Sequence, residues 1–404
     1  MEILFVDALE SSRVAMLEDA GHTCRVEPEI TAETLPGVIG SAEAVVVRST
    51  RVTAAAIEAG SDLGIIVRAG AGTDNIDKDR ASAAGVYVCN VPGRNAIAVA
   101  ELTIGLMLAI DRHIADGVAD LRAGHWDKGR YTKADGIAGK TLSIVGLGDI
   151  GLAVAERAKA FGMVVQAVRK DNRSADVLSR IRGIGIRLVN DEDELLSTAD
   201  VVSVHVPKSA STTGLIGAEL LAKLPDGAIV LNTSRGDVVD ETALLAAIND
   251  RGMRAGLDVY ANEPSSKSGP FDSELAKHPS VVGSHHIGAS TAQAQRSVAD
   301  GTVEVLNAYG AGRVVNCVNM ASVAPGAACL SVRHLDRVGA LAKVLNVVGS
   351  NGHNVEQMEN RLFTGGVSAV ATINVDGEID DDLVGELMAL EEVIAVSIAS
   401  NVGR

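Results

Sequence analysis

Aromatic side chains make up only 2% of this 404-residue sequence, although 47% of its residues are hydrophobic. An interior built so largely from Ala, Val, Ile and Leu excludes a disordered chain and suits interlocking βα units, whose parallel strands are buried on both faces. Cysteine is scarce too: Cys24, Cys89, Cys317 and Cys329 lie far apart, show no C-x-x-C spacing and follow no leader-like segment. These features point to reduced packing thiols in a cytoplasmic protein, with no metal cluster. No basic block offsets the net charge of −16, so the chain repels a phosphate backbone and nucleic acid is excluded as a partner. Local arginines must then capture any anionic ligand. The longest apolar stretch, Ile97 to Ile110, is too short to cross a bilayer and is interrupted by Glu101, so it reads as a buried helix and no membrane contact is expected.

At this length the chain holds two or three domains, since a single core stops growing near ~250 to 300 residues. Short apolar strands alternate with helical patterns: Ile3 to Val6, Ala44 to Val47, Ile65 to Val67, Leu142 to Val145, Val164 to Val168, Val201 to Val206, Ile229 to Leu231 and Ala255 to Val259. That alternation predicts an α/β protein with two doubly wound parallel sheets. A long helix near Asn95 to Val118 separates the two sets, and a second, Thr291 to Tyr309, can return the chain to the first. The first domain is therefore expected to be discontinuous, residues 1–92 with 287–314, around a nucleotide domain at 93–286. Beyond a linker at 315–328, containing Pro325 and Gly326, the pattern becomes βαββαβ over 329–404, a small ferredoxin-like sheet.

Dinucleotide chemistry is announced by Gly146-Leu147-Gly148-Asp149-Ile150-Gly151, which directly follows an apolar strand and opens a helical pattern. In such a turn Gly146 bends the chain, Gly148 lets backbone approach a pyrophosphate, and Gly151 lets helix pack on strand; the helix N-terminus faces the phosphates. Three charged residues, each after an apolar strand, look chemical: Arg235, Glu263 and His286. Residues just past the carboxyl ends of strands line the ligand crevice of a doubly wound sheet, so the three can converge. Together they suit oxidation of a 2-hydroxy acid. Histidine takes the hydroxyl proton, a carboxylate orients its ring, and a guanidinium holds the carboxylate and polarises the carbonyl.

With these motifs, and with Arg48-Ser49-Thr50, Arg68 through Asp77, Asn95 and Val99-Ala100-Glu101-Leu102, the chain resembles the D-isomer-specific 2-hydroxyacid dehydrogenase family over nearly its whole length. The resemblance implies His286 as acid/base, Glu263 as its partner and Arg235 as the substrate clamp. It implies substrate contacts from Gly70, Ala71, Gly72 and Asn75, and, in phosphoglycerate-binding members, from Arg48, Ser49 and Asn95. Cofactor contacts carry over to Asp149, Ile150, Val206, Pro207, Thr233, Ser234, Asp258 and Gly288, the Asp258 carboxylate accepting from the nicotinamide amide. The implied reaction is oxidation of 3-phosphoglycerate to 3-phosphohydroxypyruvate with NAD or NADP and no metal, on the way to L-serine. A homodimer or homotetramer is implied as well.

Two positions depart from the family pattern. His285 replaces the usual proline, giving a doublet in which the register of Ile287-Gly288-Ala289 selects His286. Arg169 stands about 20 positions after the glycines, where an acidic residue would bind the ribose diol; with Lys170 and Arg173 it leans the reading towards NADP, while Asp171 leaves NAD open. The C-terminal segment resembles an ACT domain, a regulatory module, and His334, Asp336 and Asn354 match elements that bind L-serine as an effector. Asp336 stands where a relative has asparagine. Two other readings remain: an NADPH-dependent glyoxylate or hydroxypyruvate reductase, and a dinucleotide-sensing corepressor of the same fold.

Overall fold

The computed structural model describes residues 1–264, 268–321 and 326–400. Contacts divide the chain into two compact units, Met1–Asn319 and Met320–Arg404. In the first unit, strands β1 (Glu2–Phe5), β2 (Thr23–Val26), β3 (Ala44–Val47), β4 (Ile65–Arg68) and β5 (Tyr87–Asn90) form one sheet. Its order is β2-β1-β3-β4-β5, and every pairing is parallel. A second sheet comprises β6 (Thr141–Val145), β7 (Val164–Val168), β8 (Arg187–Val189), β9 (Val201–Val204), β10 (Ile229–Asn232), β11 (Arg254–Leu257) and β12 (Val281–Gly283). Its order is β12-β11-β10-β9-β6-β7-β8, again wholly parallel, so the winding reverses between β6 and β9. A crevice opens at the carboxyl ends of such neighbouring strands.

Both sheets bury two faces, which is why their strands read as continuous apolar runs rather than alternating ones. Leu4, Val45, Val47 and Ile66 belong to one core layer of the first sheet; Ile3, Phe5, Val46 and Val67 belong to the other. The helix Ala292–Gly310 adds Val303, Val305 and Leu306 to that second layer, bringing the chain back to its first sheet after the second is complete. Thr291 caps this helix by accepting the Ala294 N–H.

The single long helix read near Asn95 to Val118 is two helices, Ala96–Asp111 and Ile114–Arg122. The break falls at His113, whose φ of +50° lies in the left-handed region and redirects the chain. Residues 316–319, read from the sequence as linker, pair with the edge of β5 instead: Asn90 N–H donates to Asn316 O and Val318 N–H to Val88 O. Pro325, the other mark of that linker, lies outside the described residues.

The second unit holds β13 (Ala328–Leu335), β14 (Val355–Leu362), β15 (Ser368–Val375) and β16 (Val393–Ser400), with helices Ala340–Ser350 and Asp381–Met388. The antiparallel order is β14-β15-β13-β16. Leu330, Val332, Ala371 and Ile373 on the sheet pack with Val344, Val348, Leu383 and Leu387 from the helices. Among the described residues no helix is long and apolar enough to cross a membrane.

Candidate active site

The glycine-rich turn follows β6 at the reversal of the second sheet. A Cβ on Gly146 (φ +99°) would fall on the carbonyl of His205, and one on Gly151 would fall on the carbonyl of Gly146. Those two glycines therefore serve close backbone packing. A Cβ on Gly148, by contrast, meets nothing within 4 Å, so the missing side chain leaves open space at the start of the helix Asp149–Ala160. That space and the helix N-terminus fit a pyrophosphate. Around it stand Asp149, Ile150 and the ends of neighbouring strands, with Val206 beside Gly146 and Pro207 exposed beyond it. Arg169 is exposed at the end of β7, and Arg173 donates to the Val168 carbonyl at 2.8 Å.

Past β10 the chain turns sharply at the fully buried Asn232. Its Oδ1 accepts from the Ser234 N–H (3.0 Å) and hydroxyl (2.7 Å), and its amide donates to Arg235 O at 2.9 Å. Thr233 is buried against Thr103, their hydroxyls 2.9 Å apart. This turn aims Arg235 at the first sheet. Its Nη1 donates to Ser234 O, and its Nε donates to Asp74 Oδ2 at 2.8 Å, an ion pair between loops from the two sheets. Gly72 is a glycine for this reason: a Cβ there would occupy the place of Arg235 Nη2.

His286 lies past β12 with φ +53°, a left-handed conformation that costs an ordinary residue about 1–2 kcal/mol. Asp258, only 1% exposed, supplies the constraint: its carbonyl accepts the His286 N–H at 2.7 Å, and its carboxylate accepts from Ile287 N–H, Gly288 N–H and the Ser284 hydroxyl. The His286 ring meets Glu263 through Nδ1 and Oε2, 2.7 Å apart, while Glu263 Oε1 accepts the Tyr260 N–H at 2.9 Å. Burial raises the Glu263 pKa, but the His286 and Tyr260 hydrogen bonds and the His286 and Arg235 charges outweigh it and hold the carboxyl below its ordinary value. A carboxylate on Nδ1 fixes the tautomer that leaves Nε2 as the basic nitrogen. His285 is exposed beside it.

The loops of the first sheet bring basic groups to the same cleft. Asp7, just past β1, accepts backbone N–H groups of Arg48 (2.7 Å), Ser49 (3.0 Å) and Thr50 (3.0 Å) and the Ser49 hydroxyl (2.8 Å). Burial opposes ionisation of Asp7, yet those four donors hold its pKa below the usual carboxylate value. Asn75 donates to Thr50 O at 2.7 Å, so Ser49 and Asn75 both brace the loop that carries Arg48. Asn90 donates to Ala71 O at 2.6 Å and Val91 N–H to Gly70 O, supporting the glycine loop from below. Asn95 precedes the helix Ala96–Asp111 with a buried Oδ1 that has no partner among the described residues.

Sequence reasoning passed over Arg68 as a site residue. Burial first, then the charges of Arg235 and Arg48, lower its pKa to about 10, and its Nε has no hydrogen-bond partner among the described residues. Gly70 makes room for it, since a Cβ there would overlap its Nη1. Arg68 and Arg235 thus set positive charge against the glycine loop, and the Arg48 charge lies near enough to act on Arg68. The signal in the sequence was an arginine ending an apolar strand directly before Ala69-Gly70-Ala71-Gly72. Asp7 and Asp74 were passed over too, because their partners lie far away in sequence, and so was Asn232, whose turn is local but carries no charge to mark it.

In the second unit His334 is 2% exposed. Its Nδ1 contacts Leu335 O at 2.9 Å and its Nε2 the Asn360 amide at 3.1 Å. Asp336 and Asn354 are exposed, and Asn354 donates to Glu356 at 2.9 Å. The unit therefore presents those two to solvent and holds His334 inside.

The family model for the D-isomer specific 2-hydroxyacid dehydrogenase NAD binding domain matches residues 104–288. The chain is 42% identical to a hydroxypyruvate reductase of Thermotoga maritima, over 69% of this chain and 90% of that protein. It is 40% identical to the D-3-phosphoglycerate dehydrogenase of Methanocaldococcus jannaschii over 79% of this chain, spanning only 60% of that relative's length. Among solved structures, a glyoxylate reductase from Paecilomyes thermophila aligns with 79% of this chain and 98% of its own, at 30% identity and a TM-score of 0.70. With the glycine turn, the His286–Glu263 pair and Arg235 gathered at the carboxyl ends of parallel strands, the chain belongs to the D-isomer specific 2-hydroxyacid dehydrogenase family.

Proposed function

We propose that the protein is a D-3-phosphoglycerate dehydrogenase, oxidising 3-phosphoglycerate to 3-phosphohydroxypyruvate. The observation that carries this reading is the placing of Arg68 and Arg235 against one glycine loop, with the charge of Arg48 close by, beside the His286–Glu263 pair. A simple 2-hydroxy acid has one anionic group, and a single guanidinium fork suffices to hold it. Three arginines suit a substrate anionic at both ends. Similarity to curated D-3-phosphoglycerate dehydrogenases, such as the 43% identity with that of Mycobacterium leprae over 72% of this chain, supports the same reading.

When bound, a nicotinamide dinucleotide supplies the two-electron acceptor. Nε2 of His286 takes the hydroxyl proton, and Glu263 stabilises the imidazolium so formed through Nδ1. Arg235 holds the substrate carboxylate against the N–H groups of the Gly70–Asn75 loop and draws electron density towards the developing carbonyl oxygen. Asp74 fixes the guanidinium through Nε, leaving Nη2 turned towards the loop at Gly72. Asp258 keeps His286 in its left-handed conformation, Arg48 meets the phosphate with Ser49 and Asn95 around it, and Arg169 favours a 2′-phosphate, hence NADP. Residues 1–92 with 287–314 act as the substrate domain and 93–286 as the nucleotide domain.

For the second unit we propose an ACT-type regulatory role with L-serine as effector, supported by its strand order and by the exposure of Asp336 and Asn354; a homo-oligomer is proposed on the family resemblance. Unchanged activity in saturating serine, with no heat of binding in calorimetry, would remove the serine proposal. A second reading, hydroxypyruvate or glyoxylate reductase, is favoured by coverage of 90% of the Thermotoga maritima relative. Formation of reduced nicotinamide from 3-phosphoglycerate tests the principal reading. Turnover of hydroxypyruvate with no turnover of either phosphorylated acid would select the second.

A further inference from the structure

We propose that Cys89 and Cys317 form a modification site, closing an intramolecular disulfide when the protein meets a small disulfide oxidant and stapling residues 316–319 to the edge of β5. Far apart in sequence, the two cysteines are direct partners in an isolated antiparallel bridge. The flanking hydrogen bonds run from Asn90 N–H to Asn316 O and from Val318 N–H to Val88 O, so the cysteines themselves occupy a non-hydrogen-bonded pair. In that register Cα atoms lie about 4.5 Å apart, within the range that a disulfide spans without backbone movement. Burial first, and then the neighbouring Cys317 thiol, push the Cys89 pKa up to about 12.

The surroundings hold the pair in register. Asn319 folds its amide back on β5, accepting from Val88 N–H at 2.8 Å and donating to Val86 O at 2.9 Å, and the Cys317 thiol donates to Asn319 Oδ1 at 3.2 Å. Cys89 is fully buried and Cys317 only partly, so reagent reaches Cys317 first. Its thiolate attacks one sulfur of the small disulfide; that S–S bond breaks, a mixed disulfide forms, and one thiolate leaves and takes a proton. The Cys89 sulfur then attacks Cys317 Sγ and expels the second small thiolate, which takes up the Cys89 proton. Two protein thiols are oxidised and one disulfide is reduced to two thiols. The high pKa of Cys89 makes the second step the slow one.

The site is independent of the proposed catalytic reading. To test it, the full chain is incubated with oxidised glutathione, quenched with N-ethylmaleimide and digested without reductant. A linked peptide pair containing Cys89 and Cys317, absent in Cys317→Ser and Cys89→Ala and reversed by dithiothreitol, is expected. Because the crosslink closes most of the first unit into one loop, the oxidised protein should melt roughly 5 °C or more above the reduced one, a difference that Cys317→Ser abolishes. Four alkylated cysteines after prolonged oxidation, glutathione retained on Cys317 beside a free Cys89, a linked pair of other cysteines, or a linked protein with an unchanged melting midpoint would each overturn the proposal.

Discussion

Asp74 should act on the reaction only through Arg235, and a double-mutant cycle measures that directly. The pair is half exposed, the side chains 31% and 44% accessible, so as an ion pair for stability it is worth only about 0.2–1 kcal/mol. Its catalytic value is larger, because Asp74 decides where the guanidinium points. Without it Arg235 keeps its charge and its bond to Ser234 O but loses the Nε anchor. A charge-assisted hydrogen bond of this kind is worth roughly 1.5–3 kcal/mol, so Asp74→Ala should lower kcat/KM by about 10- to 100-fold. Arg235→Ala removes the donor itself and should cost on the order of 10² to 10³. The double variant should fall no further than Arg235→Ala alone, within about twofold, or ~0.4 kcal/mol. Initial rates for all four proteins, with melting curves to confirm equal folding, complete the assay. Additive losses would refute the positioning argument, and an Arg235→Ala protein of normal activity would refute the site.

Gly148→Ala should fold like wild type, since its Cβ meets nothing within 4 Å, yet bind dinucleotide at least about 30-fold more weakly by calorimetry; Gly151→Ala, whose Cβ collides with backbone, should lose stability instead. Asp7 contributes stability fully above its unfolded pKa near ~3.9, and that contribution is lost as pH falls through its lower folded value. Asp7→Asn should therefore melt about 5 °C lower at pH 7, with the gap to wild type narrowing below pH ~4, as followed by circular dichroism. Arg48→Leu should lower kcat/KM for 3-phosphohydroxypyruvate by ~30-fold or more while leaving unphosphorylated hydroxypyruvate within about threefold, measured by nicotinamide absorbance.

Much of this arrangement was legible in the sequence because it is local. The strands β3, β4, β6, β7, β9, β10 and β11 are largely apolar because both faces of their sheets are buried, and the polar residues inside them, Ser143, Gln166 and Ser203, are fully buried too. β2 is only partly buried, β12 is three residues long and half exposed, and β8 likewise carries too few apolar residues to announce itself. The helix break at His113 was hidden for another reason: no glycine or proline marks a turn that a histidine makes in the left-handed region. Arg235, Glu263 and His286 stood out because each follows a strand end. Asp7, Arg68 and Asp74, which hold and charge the site, did not. Their meaning lies in contacts across long sequence separations, such as Arg235 with Asp74, which only folding creates.

On the proposed reading the site holds both ends of a doubly anionic substrate. Its most direct test is kcat/KM for 3-phosphohydroxypyruvate against unphosphorylated hydroxypyruvate, each with NADH and NADPH. A preference of ~100-fold or more for the phosphorylated acid, about 2.7 kcal/mol of transition-state discrimination, is expected from the neighbouring charges of Arg48 and Arg68. Equal or reversed values would mean that these arginines hold no phosphate, and would contradict the account.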